Sequence, residues 1–248
     1  MINYTIFNQS SSINQQNLQY IVKAINILLT AVCNDWGLSP TQLIIGTGIN
    51  YPNNSLFLLD YTDSPGALGY HYEQNGNSYA KVFVRTILGY GGVLLYKDQF
   101  TFTVAQCVCH ELLEMIGNNQ TNKWYLDNNG IFWAGELCDP VESNLIVYTL
   151  PGNIRVGLSD YVLPNWFSAD STRRPFNKLN TLSTPFSIAP GGYAIIIDNY
   201  DVIAIFGLKE DKSFLTGTYS STYPLLSIKE KDRQNDLNEI KIKLKKGS

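Results

Sequence analysis

Apolar residues recur along the first half of the chain with two different periods, and the period indicates which element each stretch can form. Residues 3–7 alternate polar and apolar, as a short half-buried strand does. Beyond them Leu18, Ile21, Val22, Ile25, Leu28, Leu29 and Val32 fall three and four apart. That spacing predicts an amphipathic helix over residues 13–34, stopped at Trp36-Gly37. Ser10-Ser11-Ser12 stands ahead of it as a source of N-caps. Residues 41–45, 55–61 and 79–87 read as strands, and Asp63-Ser64-Pro65-Gly66 and Asn75-Gly76 read as turns. After the link Tyr90-Gly91-Gly92, Ala105, Val108, Leu112, Met115 and Ile116 again show helical spacing. This predicts a core helix over residues 101–116 with a stop at Gly117-Asn118-Asn119.

From Trp124 onward the pattern changes. Asn128-Asn129-Gly130, Asp139-Pro140, Pro151-Gly152 and Pro190-Gly191-Gly192 punctuate short apolar segments, as in hairpins joined by long loops. Residues 192–198 and 202–207 flank Asn199-Tyr200-Asp201 as a closing hairpin. The expected fold is therefore α+β: a mixed sheet packed on a central helix, residues 1–150, with a β-rich extension over 151–228. Residues 229–248 form a charged tail, in which 229–246 hold seven Lys or Arg against four Asp or Glu.

Composition narrows the function classes. The 248 residues, 44% hydrophobic, suffice for one good-sized core or two small ones. A net charge of −3 gives no nucleic-acid footprint. No apolar run approaches the roughly 20 residues of a membrane span. The opening Met1-Ile2-Asn3-Tyr4 lacks the charged start of a signal peptide, so the expected location is cytoplasmic or virion-associated. Cys33, Cys107, Cys109 and Cys138 lack the spacing of a disulfide scaffold and are expected to be reduced, buried thiols.

The chemistry gathers on the second helix. His110-Glu111-Leu112-Leu113-Glu114 is the zinc-peptidase string H-E-x-x-H with glutamate in place of its last histidine. Residues four apart share a helix face, so His110 and Glu114 can reach one ion, and both side chains are ordinary zinc ligands. Glu111 lies about 100° round the helix, where its carboxylate can act as general base rather than ligand. A third ligand must come from elsewhere. Glu136, Asp139, Glu142 and His71 are the candidates, Glu136 first. It follows His110 by 26 residues, similar to the separation in thermolysin-like gluzincins, in which an aspartate further on supports the first histidine. Asp139 suits that supporting role, although Pro140 would interrupt a helix there. His71, before the Asn75-Gly76 turn, is expected beside His110 as an oxyanion donor or an extra ligand.

Several short blocks resemble a family. Asp35-Trp36-Gly37, Leu68-Gly69-Tyr70-His71, Lys81-Val82-Phe83-Val84, the His110 block, Cys138-Asp139-Pro140-Val141-Glu142, Val162-Leu163-Pro164-Asn165-Trp166-Phe167 and Pro190-Gly191-Gly192-Tyr193 occur in that order. Together they look like a zincin-like family of phage, viral and bacterial genomes, whose helix carries a Ser-His-Glu-x-Leu-Glu-Met block. Here Cys109 stands in the serine's place. The resemblance spans about residues 30–195 and implies a zincin-like scaffold around a Zn2+ or other divalent ion. The expected function is a zincin-type metal-dependent hydrolase acting on a peptide or protein. Its metal ligands are His110, Glu114 and Glu136, with Asp139 behind them and Glu111 and His71 as catalytic groups. The alternative is a non-catalytic virion or assembly protein that keeps the scaffold and binds assembly partners. A metal-free fold in which the two glutamates merely pair with Arg or Lys ranks last.

Overall fold

The parallel part of the main sheet is built by strands whose inward residues meet in rows. In the computed structural model, which describes residues 1–48, 51–65, 67–118, 122–198 and 201–207, β1 (Ile2–Asn8) lies between β2 (Thr41–Ile45) and β3 (Ser55–Leu59). β4 (Gly69–Gln74) and β5 (Asn77–Phe83) form a hairpin about Asn75-Gly76, and β5 pairs with β3. The order is β2-β1-β3-β5-β4, with β4 antiparallel at the edge and the rest parallel. Register places Ile45, Ile6, Leu56, Ala80 and His71 in one row across the sheet. Because side chains alternate between faces, His71 points to the same side as that apolar row.

Two helices cover this side. α1 (Gln15–Trp36) turns Leu18, Ile21, Ile25, Leu28, Leu29 and Val32 inward, and α3 (Val104–Gly117) is buried at every residue from Val104 to Met115. α3 packs on β4 and β5 on one side and on β9 (Ile154–Ser159) on the other, which explains burial on all faces. Its first turn is capped by Thr103, whose hydroxyl accepts from Gln106 N at 2.8 Å and donates to Gly157 O at 3.0 Å.

The local structure departs from the pattern in three places. The strand expected through residue 87 stops at Phe83, and Val84–Gly89 forms α2. Val84 and Ile87, three apart, still face inward, while Arg85 reaches out to Ser11, Ser12 and Tyr61. Asn14, not the serine triplet, caps α1 by accepting from Asn17 N at 2.8 Å. The serines are otherwise engaged: Ser10 and Ser11 donate to Asp60, and Ser12 accepts from Arg85. The third departure is at residue 150, where β8 (Leu145–Leu150) and β9 form a hairpin straddling the expected domain boundary. Leu150, Val156 and Leu158 join the core of α1 and α3.

The second sheet, β11-β10-β7-β6, contains β6 (Trp124–Leu126), β7 (Phe132–Ala134), β10 (Tyr193–Asp198) and β11 (Asp201–Phe206). Its core is aromatic, with Trp133, Trp166, Phe167 and Phe176 buried together. The end of α1 ties the two cores: Trp36 donates to Val162 O at 3.1 Å and packs edge-on against Phe167, and Asp35 accepts from Tyr161 at 2.7 Å. All four cysteines are buried thiols. No helix among the described residues is long and apolar enough to cross a membrane. The charged tail, residues 208–228, Gly66, Asn119 and the Asn199-Tyr200 turn lie outside the described residues.

Candidate metal centre

Three separate stretches of chain converge on α3. β4 supplies His71, α3 supplies His110, Glu111 and Glu114, and the segment after β7 supplies Glu136 and Asp139. Asp139 opens a 3-10 turn, Asp139–Val141, with Pro140 in its first turn, where a missing N–H costs nothing. The Pro190-Gly191-Gly192-Tyr193 block seats on this turn. Ala189 N donates to Pro140 O at 2.8 Å, and a side chain at Gly192 would meet Pro140 O at 2.4 Å.

Glu114, fully buried, is the hub. Its Oε1 lies 3.0 Å from His110 Nε2, and its Oε2 lies 3.1 Å from His71 Nδ1. Asp139 Oδ1 faces the same His110 nitrogen at 3.1 Å, and Glu111 Oε2 faces the same His71 nitrogen at 3.5 Å. Glu136 Oε2 stands 3.7 Å from His71 Nε2, on the far side of that ring. Five of the six residues thus sort into two groups sharing one carboxylate: His110, Glu114 and Asp139, and His71, Glu111 and Glu114. The two glutamates of the helix approach His71 together because they are three apart.

Both histidines respond to these acids. Burial alone would lower the His71 pKa, but the charge of Glu136 and the contacts with Glu111 and Glu114 outweigh it and carry it up to about 9. Burial likewise opposes charge on His110, and Glu114 and Asp139 overcome it, raising that pKa well above the usual imidazole value. Even so, neither ring nitrogen of His71 has a partner with hydrogen-bond geometry, nor does Glu111 Oε2, although all three atoms are buried. Buried polar groups ordinarily do have one. Atoms held close yet not hydrogen-bonded suit shared ligation of a cation.

The distances agree with that chemistry. Ligands about 2.0–2.1 Å from a tetrahedral ion lie roughly 3.3 Å from each other. The contacts at His110 Nε2 are 3.0 and 3.1 Å, and those at His71 Nδ1 are 3.1 and 3.5 Å. A narrow cleft of about 10 Å³, room for about one water, is lined by Leu68, Gly69, Phe102, Glu142 and Tyr193 and reaches His110 and Glu111.

Each residue singled out from sequence thus has a place. His71 and His110 meet opposite oxygens of Glu114. Asp139, expected behind His110, faces the nitrogen that also faces Glu114, whereas a supporting group would hold the other ring nitrogen. Glu136, expected as the third ligand with His110 and Glu114, has its Oε2 3.7 Å from His71 Nε2. Glu142 lines the cleft and belongs to neither group. Gly69 was not among the sequence candidates: a methyl there would lie 2.7 Å from Cys107 Sγ and 3.1 Å from Glu111 Oε1. Only a bare backbone lets β4 come this close to α3. Gly69→Ala is expected to lower stability by about 1–3 kcal/mol through overpacking. Urea denaturation checks this, and an unchanged midpoint would mean that β4 does not need the close approach.

Comparisons of the chain with protein families, with curated proteins and with solved structures found no match.

Proposed function

We propose that the protein is a metal-dependent hydrolase of zincin type acting on peptides. The observation that carries the reading is the buried set His110 Nε2, Glu114 Oε1 and Asp139 Oδ1, spaced as ligands of one divalent ion. When bound there, Zn2+ or a similar ion would lower the pKa of a coordinated water and polarise a carbonyl. The chain's own residues account for the rest. Glu111 takes a proton on its carboxylate and returns it to the leaving amine, and its burial at 3% exposure excludes bulk water from that transfer. Leu68 and Gly69 lead from the cleft into the edge strand β4, whose outer backbone groups can pair with an extended peptide.

Two carboxylates and one imidazole make a less electrophilic site than two imidazoles and one carboxylate, so modest turnover or an ion other than zinc suits this ligand set.

The test is metal-loaded protein incubated with a peptide library and read by mass spectrometry. Cleavage is expected in the wild type, with Glu111→Gln losing at least about 100-fold, as for removal of a general base. No cleavage with any of Zn2+, Mn2+ or Co2+ would overturn the hydrolase reading. Asp139→Asn is expected to weaken ion binding more than Glu136→Gln does, as measured by calorimetry. The opposite order would return Glu136 to the side of His110.

A further inference from the structure

We infer that the site holds two divalent ions rather than one, with Glu114 bridging them. The inference rests on the metal-site reading above and extends it to the second residue group. The first ion would take His110 Nε2, Glu114 Oε1 and Asp139 Oδ1, and the second His71 Nδ1, Glu111 Oε2 and Glu114 Oε2.

Three observations carry it. The two oxygens of Glu114 face different imidazoles, which is what a bridging carboxylate does and what a ligand of a single ion need not do. The second group also contains a histidine whose two buried ring nitrogens lack hydrogen-bonded partners, so the cluster is more than an accumulation of acids. Glu136 completes the pattern. Its carboxylate is 3.7 Å from His71 Nε2, opposite the nitrogen that faces Glu111 and Glu114. A ligating histidine usually offers its other N–H to a carboxylate, and Glu136 stands on that side of the ring, although at 3.7 Å it is not hydrogen-bonded to it. Charge agrees: the four carboxylates Glu111, Glu114, Glu136 and Asp139 are balanced by two divalent ions with both imidazoles neutral, whereas one ion leaves a buried excess of negative charge. In this arrangement Glu111 ligates the second ion through Oε2, and its Oε1 is the oxygen left to take the proton.

The test uses chelator-treated full-length protein titrated with Mn2+, followed by calorimetry and electron paramagnetic resonance. Two ions per chain are expected, with an exchange-coupled spectrum because ions in such pairs lie about 3.5–4 Å apart. His71→Ala should hold one ion with an uncoupled spectrum, and His110→Ala should lose the other. Glu136→Gln, which leaves every ligand in place, should weaken the second ion by roughly 10–100-fold and the first far less. It serves if His71→Ala fails to fold. Glu111→Gln should lose the second ion; if Glu111 is only a proton acceptor, both ions stay. A single ion in the wild type, retained in His71→Ala and lost in His110→Ala, overturns the second site and leaves the hydrolase reading intact. Two uncoupled ions overturn the bridge. No bound ion overturns both readings.

Discussion

Glu114→Gln is expected to strip the protein of bound divalent metal, with a loss of affinity well beyond 100-fold. The side chain keeps its volume and one oxygen, so packing of α3 changes little, but the charge at the centre of the cluster disappears. Glu114 is fully buried and contacts both imidazoles within 3.1 Å, so no neighbouring water can take over its role. Changing a residue that only orients a ligand costs roughly 10–100-fold, and removing a shared ligand should exceed that. Elemental analysis and calorimetry give the result, with circular dichroism to verify the fold. Without metal, the variant should also melt below the wild type, because each imidazolium loses an anionic neighbour. Full metal content in folded Glu114→Gln would rule out the helix as the source of the ligands.

The second large effect is with pH, and it has opposite signs for stability and for metal binding. In the chelator-treated protein, His71 titrates near 9 rather than near 6.5, because its carboxylate neighbours favour the charged ring. A raised folded-state pKa stabilises fully below the unfolded value and is lost as pH rises through the folded one. The metal-free protein should therefore hold this stability below about pH 6.5 and lose it towards and beyond pH 9. For His71 the amount is about 3 kcal/mol, and His110 adds to it in the same direction. Urea midpoints at pH 6 and pH 9.5 would measure it, and a midpoint that rises over this range would contradict the sign.

Metal binding runs the other way. Imidazole must lose its proton to ligate, so each displaced proton makes affinity rise by up to about tenfold per pH unit. With both rings involved, calorimetry at pH 7 in buffers of different ionisation enthalpy should count close to two protons released. A count near one would leave one histidine outside the metal site, and a count near zero would exclude both.

The part of the site that was legible in sequence lies within one helix. His110, Glu111 and Glu114 are fixed relative to each other by the 3.6-residue period, and the apolar stripe around them identifies the helix. The roles of Glu136 and Asp139 were not legible to the same degree. Both lie in a short segment after β7, three residues apart, and the path of the chain there decides which one meets His110. The path is set by the 3-10 turn at Pro140 and by the Gly192 backbone pressed against it, more than 50 residues further along. Likewise residues 84–89 carry a β-branched apolar pattern, but their inward positions suit a helical turn against α3 equally well.

What the sequence determined by itself is local: helices α1 and α3, the paired turn residues of the β4–β5 hairpin, and the acid-histidine spacing on α3. These depend on backbone geometry that repeats within a few residues. The tertiary structure decided that His71 joins the site at all. A strand's alternation puts His71 on one face or the other, and only pairing with β5 opposite Ala80 turns it towards α3. Gly69 then permits the approach, and Glu114 acquires a second imidazole from a strand that precedes it by some 40 residues. Spacing along a helix can specify one ligand group. A second group around the same carboxylate requires sheet register, which is a property of several strands together.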